Sequence, residues 1–521
     1  MNKKVISLIS CIMILATGLV GCSSAKTTPT KTETPSSLIY GIDGDPGNSV
    51  NVITTGDRYG LMEIKLLYSP LYMYNTDKVV YFLAESMTPS KDNLSYTAKL
   101  RKNVKWSDGK PFTADDVVFT YNEMLKESNA GWAYGQLVFD GKPVKVEKVD
   151  NYTVKFVLPK VGASAMELLG NIFIMPKHIY AGETNIENSS KNATPVGTGP
   201  YKFQEFKSGQ YVKFISNPDY FLGAPKIKNV IFREIQDANT AQLAIQNGEI
   251  NALAVQPTDI SKLSNKNKLN IVPYDEGRVG YMAFNLPSKT VQNKEVRKAI
   301  LYALNRNQMI TAAYISDKYA KPVYSFLPNE SKYNSSDVEK YDTNVDKSKA
   351  LLTKAGVSNL KLKLAYVSNN VPMQKEATII QENLKAAGIS VELLGMDQTA
   401  LMENNKKHNG KFDMYLGGYI MGIDPDTFSS LFTTNGSANY IGYSNTQIDK
   451  LFAAGTTETD VAKRKVIYNN IQKILQDDAV FYPIVENKRI LVIDSSIDGI
   501  KDAGLVPVYT FEDMSKLFYK K

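Results

Sequence analysis

Closely spaced carboxylates are the groups in this sequence best arranged for chemistry. Asp115 and Asp116 are adjacent, and Asp424 and Asp426 flank Pro425. Two acids can share general acid and base work when their surroundings push their pKa values apart. The partners such chemistry needs are scarce, because His178 and His408 are the only histidines in the chain and imidazole is the usual base and metal ligand near neutral pH. No G-x-S-x-G, H-E-x-x-H or P-loop spacing occurs. Ser23-Ser24-Ala25-Lys26 fits S-x-x-K, but it lies in a polar stretch that has nothing to build a pocket with. Thr113 with Asp116 three residues on is a helix capping box, which explains that acid pair without catalysis. Asp424-Pro425-Asp426 reads equally as a turn leading into a helix and as two ligand-binding carboxylates. A peptide or glycan hydrolase therefore has no motif here. The expectation is a binding protein, not an enzyme, with no metal and no cofactor.

The elements that must position these groups follow from periodicity. Helical spacing runs over 59–68, and Thr113 opens a helix through 121. Strand patterns occur at 37–42, 71–74 and 94–100. Asp237 caps a helix that carries Ala241, Ala244 and Ile245 and stops at Gly248, before a strand at 250–255. The same unit returns as strand 362–367, helix 374–387 ended by Gly388, and strand 389–394. Two separated β-α-β units predict two α/β lobes. The clearest helix is predicted over 295–314, with Val296, Ala299, Ile300, Ala303 and Leu304 as a stripe facing the core.

The N-terminus reads as an address. Lys3 and Lys4 precede an apolar run over 5–20, too short and too promptly ended for a lasting membrane span. Leu19-Val20-Gly21-Cys22 looks like a lipobox, so Cys22 is expected to carry a lipid after residues 1–21 are removed. The only other cysteine, Cys11, falls in the removed part, so no disulfide is expected. Residues 23–37 are Ser, Thr, Pro and Lys with hardly an apolar group, a tether that reaches roughly 50 Å when extended. The net charge of +8 over 521 residues, with 61 basic and 53 acidic side chains and no dense basic block, argues against nucleic acid as a partner.

Several segments in a fixed order carry a resemblance. They are 100–117, which includes Trp106-Ser107-Asp108-Gly109-Lys110-Pro111-Phe112, then Met175-Pro176-Lys177-His178, Pro195-Val196-Gly197-Thr198-Gly199-Pro200-Tyr201, and Asn247-Gly248-Glu249-Ile250-Asn251. Tyr281-Met282-Ala283-Phe284-Asn285, Val296-Arg297-Lys298-Ala299-Ile300 and Asp424-Pro425-Asp426 follow. Over essentially the whole body the chain resembles the large solute-binding proteins of dipeptide, oligopeptide and nickel ABC importers. The resemblance implies a two-lobed periplasmic-binding-protein-like α/β fold with a small inserted domain and a ligand cleft between lobes. On that basis lobe I comprises 38–68, 181–280 and 490–521, the inserted domain 69–180, and lobe II 281–489. It implies a monomer that delivers peptides to permease and ATPase subunits.

In that family a Trp lies shortly before an amine-binding Asp, with an Asp-Pro three residues after it. Here Met421 stands three before Asp424, and Tyr419 is the only nearby aromatic. Either Asp424 or Asp426 takes the amine, or the ligand's N-terminus is read differently. A buried ammonium needs a carboxylate partner. The resemblance also places Trp132 and Tyr134 toward the ligand, and puts Arg278, Tyr281 and Asn285 at the crossing between lobes. Arg278 is there a candidate for a peptide carboxylate, with a surface salt bridge as its plainer role. An oligosaccharide or a nickel chelate is the competing ligand, and passing on a signalling peptide the competing purpose. Only two Trp argue against sugar stacking, and only two His against nickel ligation.

Overall fold

The computed structural model describes residues 37–520 except Pro46, Asn48, Thr76, Asp77, Asp140 and Ile423. The signal segment, Cys22 and all but the last residue of the tether lie outside the described residues. Among the described residues no helix is long and apolar enough to cross a membrane.

The expected β-α-β units form. Asp237 caps the helix Ala238–Asn247 through Thr240 N–H, and Gly248 closes it at φ +75°. The strands on either side of it, Asn229–Glu234 and Ala252–Val255, both run parallel to Ser37–Ile42. Downstream, Lys361–Val367 and Ser390–Met396 pair in parallel around the helix Val371–Ala386. Asn370 caps that helix, so it begins earlier than the periodicity indicated.

The long helix expected over 295–314 is two helices. Lys294–Ala303 ends at Leu304, and Asn305 caps Arg306–Tyr314 by accepting from Gln308 N–H. The apolar stripe continues through the break because both helices bury into one core. Periodicity does not register an Asn whose side chain competes for the backbone donors.

Both β-α-β units belong to one mixed sheet of eleven strands, joined through two long antiparallel strands, Leu269–Phe284 and Phe481–Asp494. Their outer halves, including Tyr274, Leu491 and Ile493, pack into a core with the N-terminal and C-terminal segments. Their inner halves, including Val279, Met282, Phe284 and Val485, pack into a second core built from the middle of the chain. The pairing slips between Asp275 and Arg278, where Gly277 takes φ +61°. Such a bulge bends and twists the ribbon locally, and this one lies where the ribbon passes from one core to the other.

A separate four-stranded antiparallel sheet holds Ala84–Pro89, Ser95–Leu100, Thr153–Val157 and Lys145–Asp150. The helix Ala114–Met124 starts at Thr113 with the capping box in place: Asp116 accepts from Thr113 N–H at 2.9 Å. Asp116 also accepts from Lys177 N–H and from Trp106 Nε1. Asp116 is thus a structural knot that ties the helix start to 177 and to a core Trp that is 2% exposed, while Asp115 pairs with Lys148 at the surface.

Candidate ligand cleft

Two contiguous cavities open between the two cores. The smaller, about 530 Å³, is walled by Tyr74 and 504–507 from one side, by Tyr333 and Arg464 from the other, and by the crossing strands at Asp275, Gly277 and Glu486. The larger, about 910 Å³, is walled by Trp132, Phe139, Lys160, Met421, Asp426 and Gly436 among others. Ser164, Glu167, Ile420 and Asp424 line both, so they form the threshold between two compartments of one cleft. Cavities of several hundred Å³ at a junction of domains are typical places for ligands.

The segment Met414–Tyr419 pairs with Leu269–Phe284 and then runs to the threshold. It does so at close quarters. A Cβ on Gly417 or Gly418 would lie 2.6 Å from the Tyr281 ring or 2.2 Å from Arg278 Nη2. Glycine at these positions lets both side chains lie flat across the strand.

At the threshold, Asp424 caps the short 3-10 turn Pro425–Phe428 by accepting from Asp426 N–H at 2.9 Å. Its carboxylate is held bidentately by Arg464, at 2.6 and 2.7 Å. Burial opposes the Arg464 charge, but the hydrogen bonds and the charge of Asp424 outweigh it and hold its pKa above the ordinary range. Asp424 therefore arrives at the cleft already neutralised. Asp426 differs, since it accepts from the Thr456 hydroxyl at 2.7 Å. Burial first, and then neighbouring Asp424, raises its pKa to about 6 against the pull of Thr456, Arg464 and Lys160.

Trp132 stands on the wall of the larger compartment, 42% exposed, with Nε1 donating to the Val52 carbonyl at 3.2 Å. That bond fixes the indole and leaves a ring face toward the cavity, where aromatic surface is most useful to a ligand. Met421 is half-buried on the same wall, and its carbonyl accepts from the Thr427 hydroxyl.

Four residues that the sequence nominated for the ligand, three of them buried and Arg278 half-buried, are not among those lining either compartment. Tyr281 is 9% exposed and sits among Tyr415, Tyr419 and Phe481, with ring centroids 6.1, 5.3 and 4.7 Å away. The Tyr419 hydroxyl donates to the Phe326 carbonyl at 2.6 Å. The Asn285 side chain, 2% exposed, donates to the Phe412 carbonyl. Arg278 Nη1 donates to Asn487 at 2.9 Å, and its charge lowers the pKa of buried Glu376, which burial raises to about 7. Arg278 thus acts inside the lobe and not as a surface salt bridge. Their positions beside the crossing were legible in sequence. Arg278 and Tyr281 leave opposite faces of their strand, the one over Gly418 and the other over Gly417, and the second core covers both faces. Tyr134 is half-buried at the start of a single helical turn, Tyr134–Leu137, and is not among the residues lining either compartment.

Sequence reasoning missed Arg464, Glu486, Glu167 and Glu330, all on the cleft wall. Nothing local marks them. Arg464 sits in the helix Val461–Asp478, on a face shared with Tyr468, and meets Asp424 only through tertiary packing.

Comparison with known proteins agrees with this architecture. Residues 78–440 match the profile of bacterial extracellular solute-binding proteins, family 5, middle region. The oligopeptide-binding protein AppA of Bacillus subtilis is 30% identical, over 98% of both chains. The crystal structure of the ABC transporter substrate-binding protein CtaP of Listeria monocytogenes superposes with a TM-score of 0.90. It is 42% identical, and the match covers 94% of this chain and all of that one. The structure of Bacillus subtilis AppA in complex with a nonapeptide gives a TM-score of 0.80 at 28% identity, over 94% of this chain and 100% of its own. With two cores joined by a bulged pair of crossing strands and a cleft between them, the chain belongs to the bacterial extracellular solute-binding proteins of family 5.

Proposed function

We propose that this protein captures peptides outside the membrane and hands them to the permease and ATPase subunits of an ABC importer, acting as a monomer anchored through a lipid on Cys22. The observation that carries this reading is the two-compartment cleft at the crossing strands. The larger compartment has room for several residues and offers an aromatic face at Trp132 with a carboxylate at Asp426. Peptides differ in side chains but share amides and charged ends, so a roomy, polar-edged cleft beside a hinge suits them. Closure of two lobes over the guest would couple binding to a shape that an importer can read. The relatives named for oligopeptides, one of them solved around a nonapeptide, support the same ligand class. The binding role is one of capture and release, without hydrolysis.

The test is thermal unfolding of the mature protein against a peptide library and, in parallel, against cello- and xylo-oligosaccharides, with peptide integrity followed by mass spectrometry. Stabilisation by peptides recovered intact is expected. Stabilisation by sugars alone, or cleavage of the peptides, overturns the reading. Radiolabelled palmitate incorporated in cells and lost in a Cys22→Ala variant tests the anchor.

A further inference from the structure

The charge on the cleft wall is opposite to that of the whole chain. The sequence carries a net +8, yet the smaller compartment is lined by eight carboxylate residues and by only two cations, Lys332 and Arg464. Some of these acids are already matched. Asp424 is held by Arg464, Glu276 by Arg58 at 2.8 Å, and Asp275 by Lys488 at 3.5 Å. Glu167 and Glu512 have interactions of their own, which leaves Glu330, Glu458 and Glu486 as the wall carboxylates with no ion pair among the described residues.

One of the unmatched acids is buried. Glu486, on the crossing strand Phe481–Asp494, is 6% exposed. Its Oε2 accepts from Asn329 N–H at 2.8 Å, while its Oε1 has no hydrogen-bond partner among the described residues. Burial, and after it the charges of Asp275 and Glu330, raise its pKa. An unmatched carboxylate oxygen in a buried site is costly, and the residue that carries it borders a cavity that a guest could fill. A donor with a positive charge would satisfy the oxygen and relieve the crowding of like charges together.

We infer that the smaller compartment is a subsite for a basic side chain, so that the protein selects peptides containing lysine or arginine. This rests on the peptide-binding reading and deepens it. The backbone of the guest lies in the larger compartment beside Trp132, and the basic side chain passes the threshold at Asp424 and Glu167 to reach Glu486 and Glu330. A long, flexible side chain with its charge at the tip suits such a passage, since the stem crosses the threshold beside Ile420 while the head meets the acids. A single α-ammonium needs one carboxylate partner. The wall offers several, spread over about 530 Å³.

The test uses the mature protein and matched alanine-based peptides of graded length in which one internal position is lysine, arginine or glutamine, each with a free or an acetylated N-terminus. Calorimetry at low ionic strength should show the basic peptides binding at least about ten-fold more tightly than their glutamine partners, equivalent to about 1.4 kcal/mol. Acetylation should leave that ratio in place, and raising the salt should shrink it. Glu486→Gln should remove most of the ratio. Glu330→Gln, an exposed position with little bearing on folding, should reduce it. Equal binding of basic and glutamine peptides overturns the inference and leaves peptide capture standing. So does a preference that depends only on the free α-amine. Silence from every peptide overturns both.

Discussion

Arg464 grips Asp424 with two parallel hydrogen bonds, Nη1 to Oδ2 at 2.6 Å and Nη2 to Oδ1 at 2.7 Å, at positions 3% and 9% exposed. The rings of Tyr333 and Tyr468 pack against each other beside the pair, each 5.3 Å from the guanidinium carbon. The pair joins the end of one cleft segment to the helix Val461–Asp478, and fixes the threshold between the two compartments. It also sets the two nearby acids apart, since Asp424 is committed to Arg464 while Asp426 accepts from the Thr456 hydroxyl.

Removing one side of this pair should be severe. In Asp424→Asn the turn keeps a good cap, because Asn serves that position as well as Asp, but Arg464 keeps its buried charge without a counterion. A loss of about 3–5 kcal/mol in denaturant unfolding is expected. The double variant Asp424→Asn with Arg464→Gln should recover part of it. A loss below about 1 kcal/mol in the single variant would mean that the pair is not the structural clamp described.

The pKa of Asp426 gives binding a pH dependence. The carboxyl has a folded-state pKa near 6, above its ordinary 3.8. The neutral form therefore favours folding fully below about 4, and this contribution fades as pH rises through 6. A cationic guest wants the ionised form, so its affinity should rise between pH 5 and 7; the groups facing Asp426 are Asp424, Arg464, Lys160 and Thr456. Calorimetric titrations across that range check it, and Asp426→Asn should flatten the rise. An unchanged profile in the variant would assign the pH dependence elsewhere.

Glu63 should make the protein more stable in acid than in base over part of the scale. Burial, with Asp57 and Asp45 nearby, raises its pKa to about 9, and its Oε1 is a buried acceptor without a hydrogen-bond partner among the described residues. The folded state thus binds a proton that the unfolded state releases above about 4.5. Its contribution is complete below that pH and is lost on the way to 9. Glu63→Gln should unfold at a higher denaturant concentration than the parent at pH 8, by more than about 1 kcal/mol, and by little at pH 4. Equal effects at both pH values would refute this.

Trp132→Ala should separate binding from folding. The ring is 42% exposed and lines the larger compartment, so its loss should weaken peptides about five- to ten-fold, as removal of an aromatic anchor does, while the unfolding midpoint moves little. Unchanged affinity would remove Trp132 from the site.

Gly277→Ala should cost about 1–2 kcal/mol, because alanine resists the left-handed backbone that the bulge imposes. The same substitution at Gly418 would press only on the end of the flexible Arg278 side chain, which can give way, so it should cost less. Denaturant unfolding of both variants provides the comparison, and a larger loss in Gly418→Ala would show that Arg278 is held in place.

Much of the fold was written locally. Capping by Thr113 and Asp237, the stop at Gly248 and the repeated strand-helix-strand order depend on near neighbours in the chain, and these placed elements within a few residues. The break at Asn305 escaped because one polar side chain outweighed an unbroken apolar stripe. Position at the crossing was legible for Arg278, Tyr281 and Asn285, but side-chain direction was not. A one-residue change of register turns a strand's side chains from cleft to core, and the register here is set by bulges at 275–278 and 280–281.

The sequence by itself determined the family, the α/β class, the paucity of groups for catalysis and the candidacy of Asp426, Met421 and Trp132, because each depends on residue type and order. Tertiary structure alone decided which acids are free and which are spent. Arg464 reaches Asp424, Arg58 reaches Glu276, and nothing described reaches Glu486 Oε1. Charge pairing in a cleft is a matter of distance in space, and residues far apart along the chain can only be brought within hydrogen-bond reach by the packing of two cores around one pair of strands.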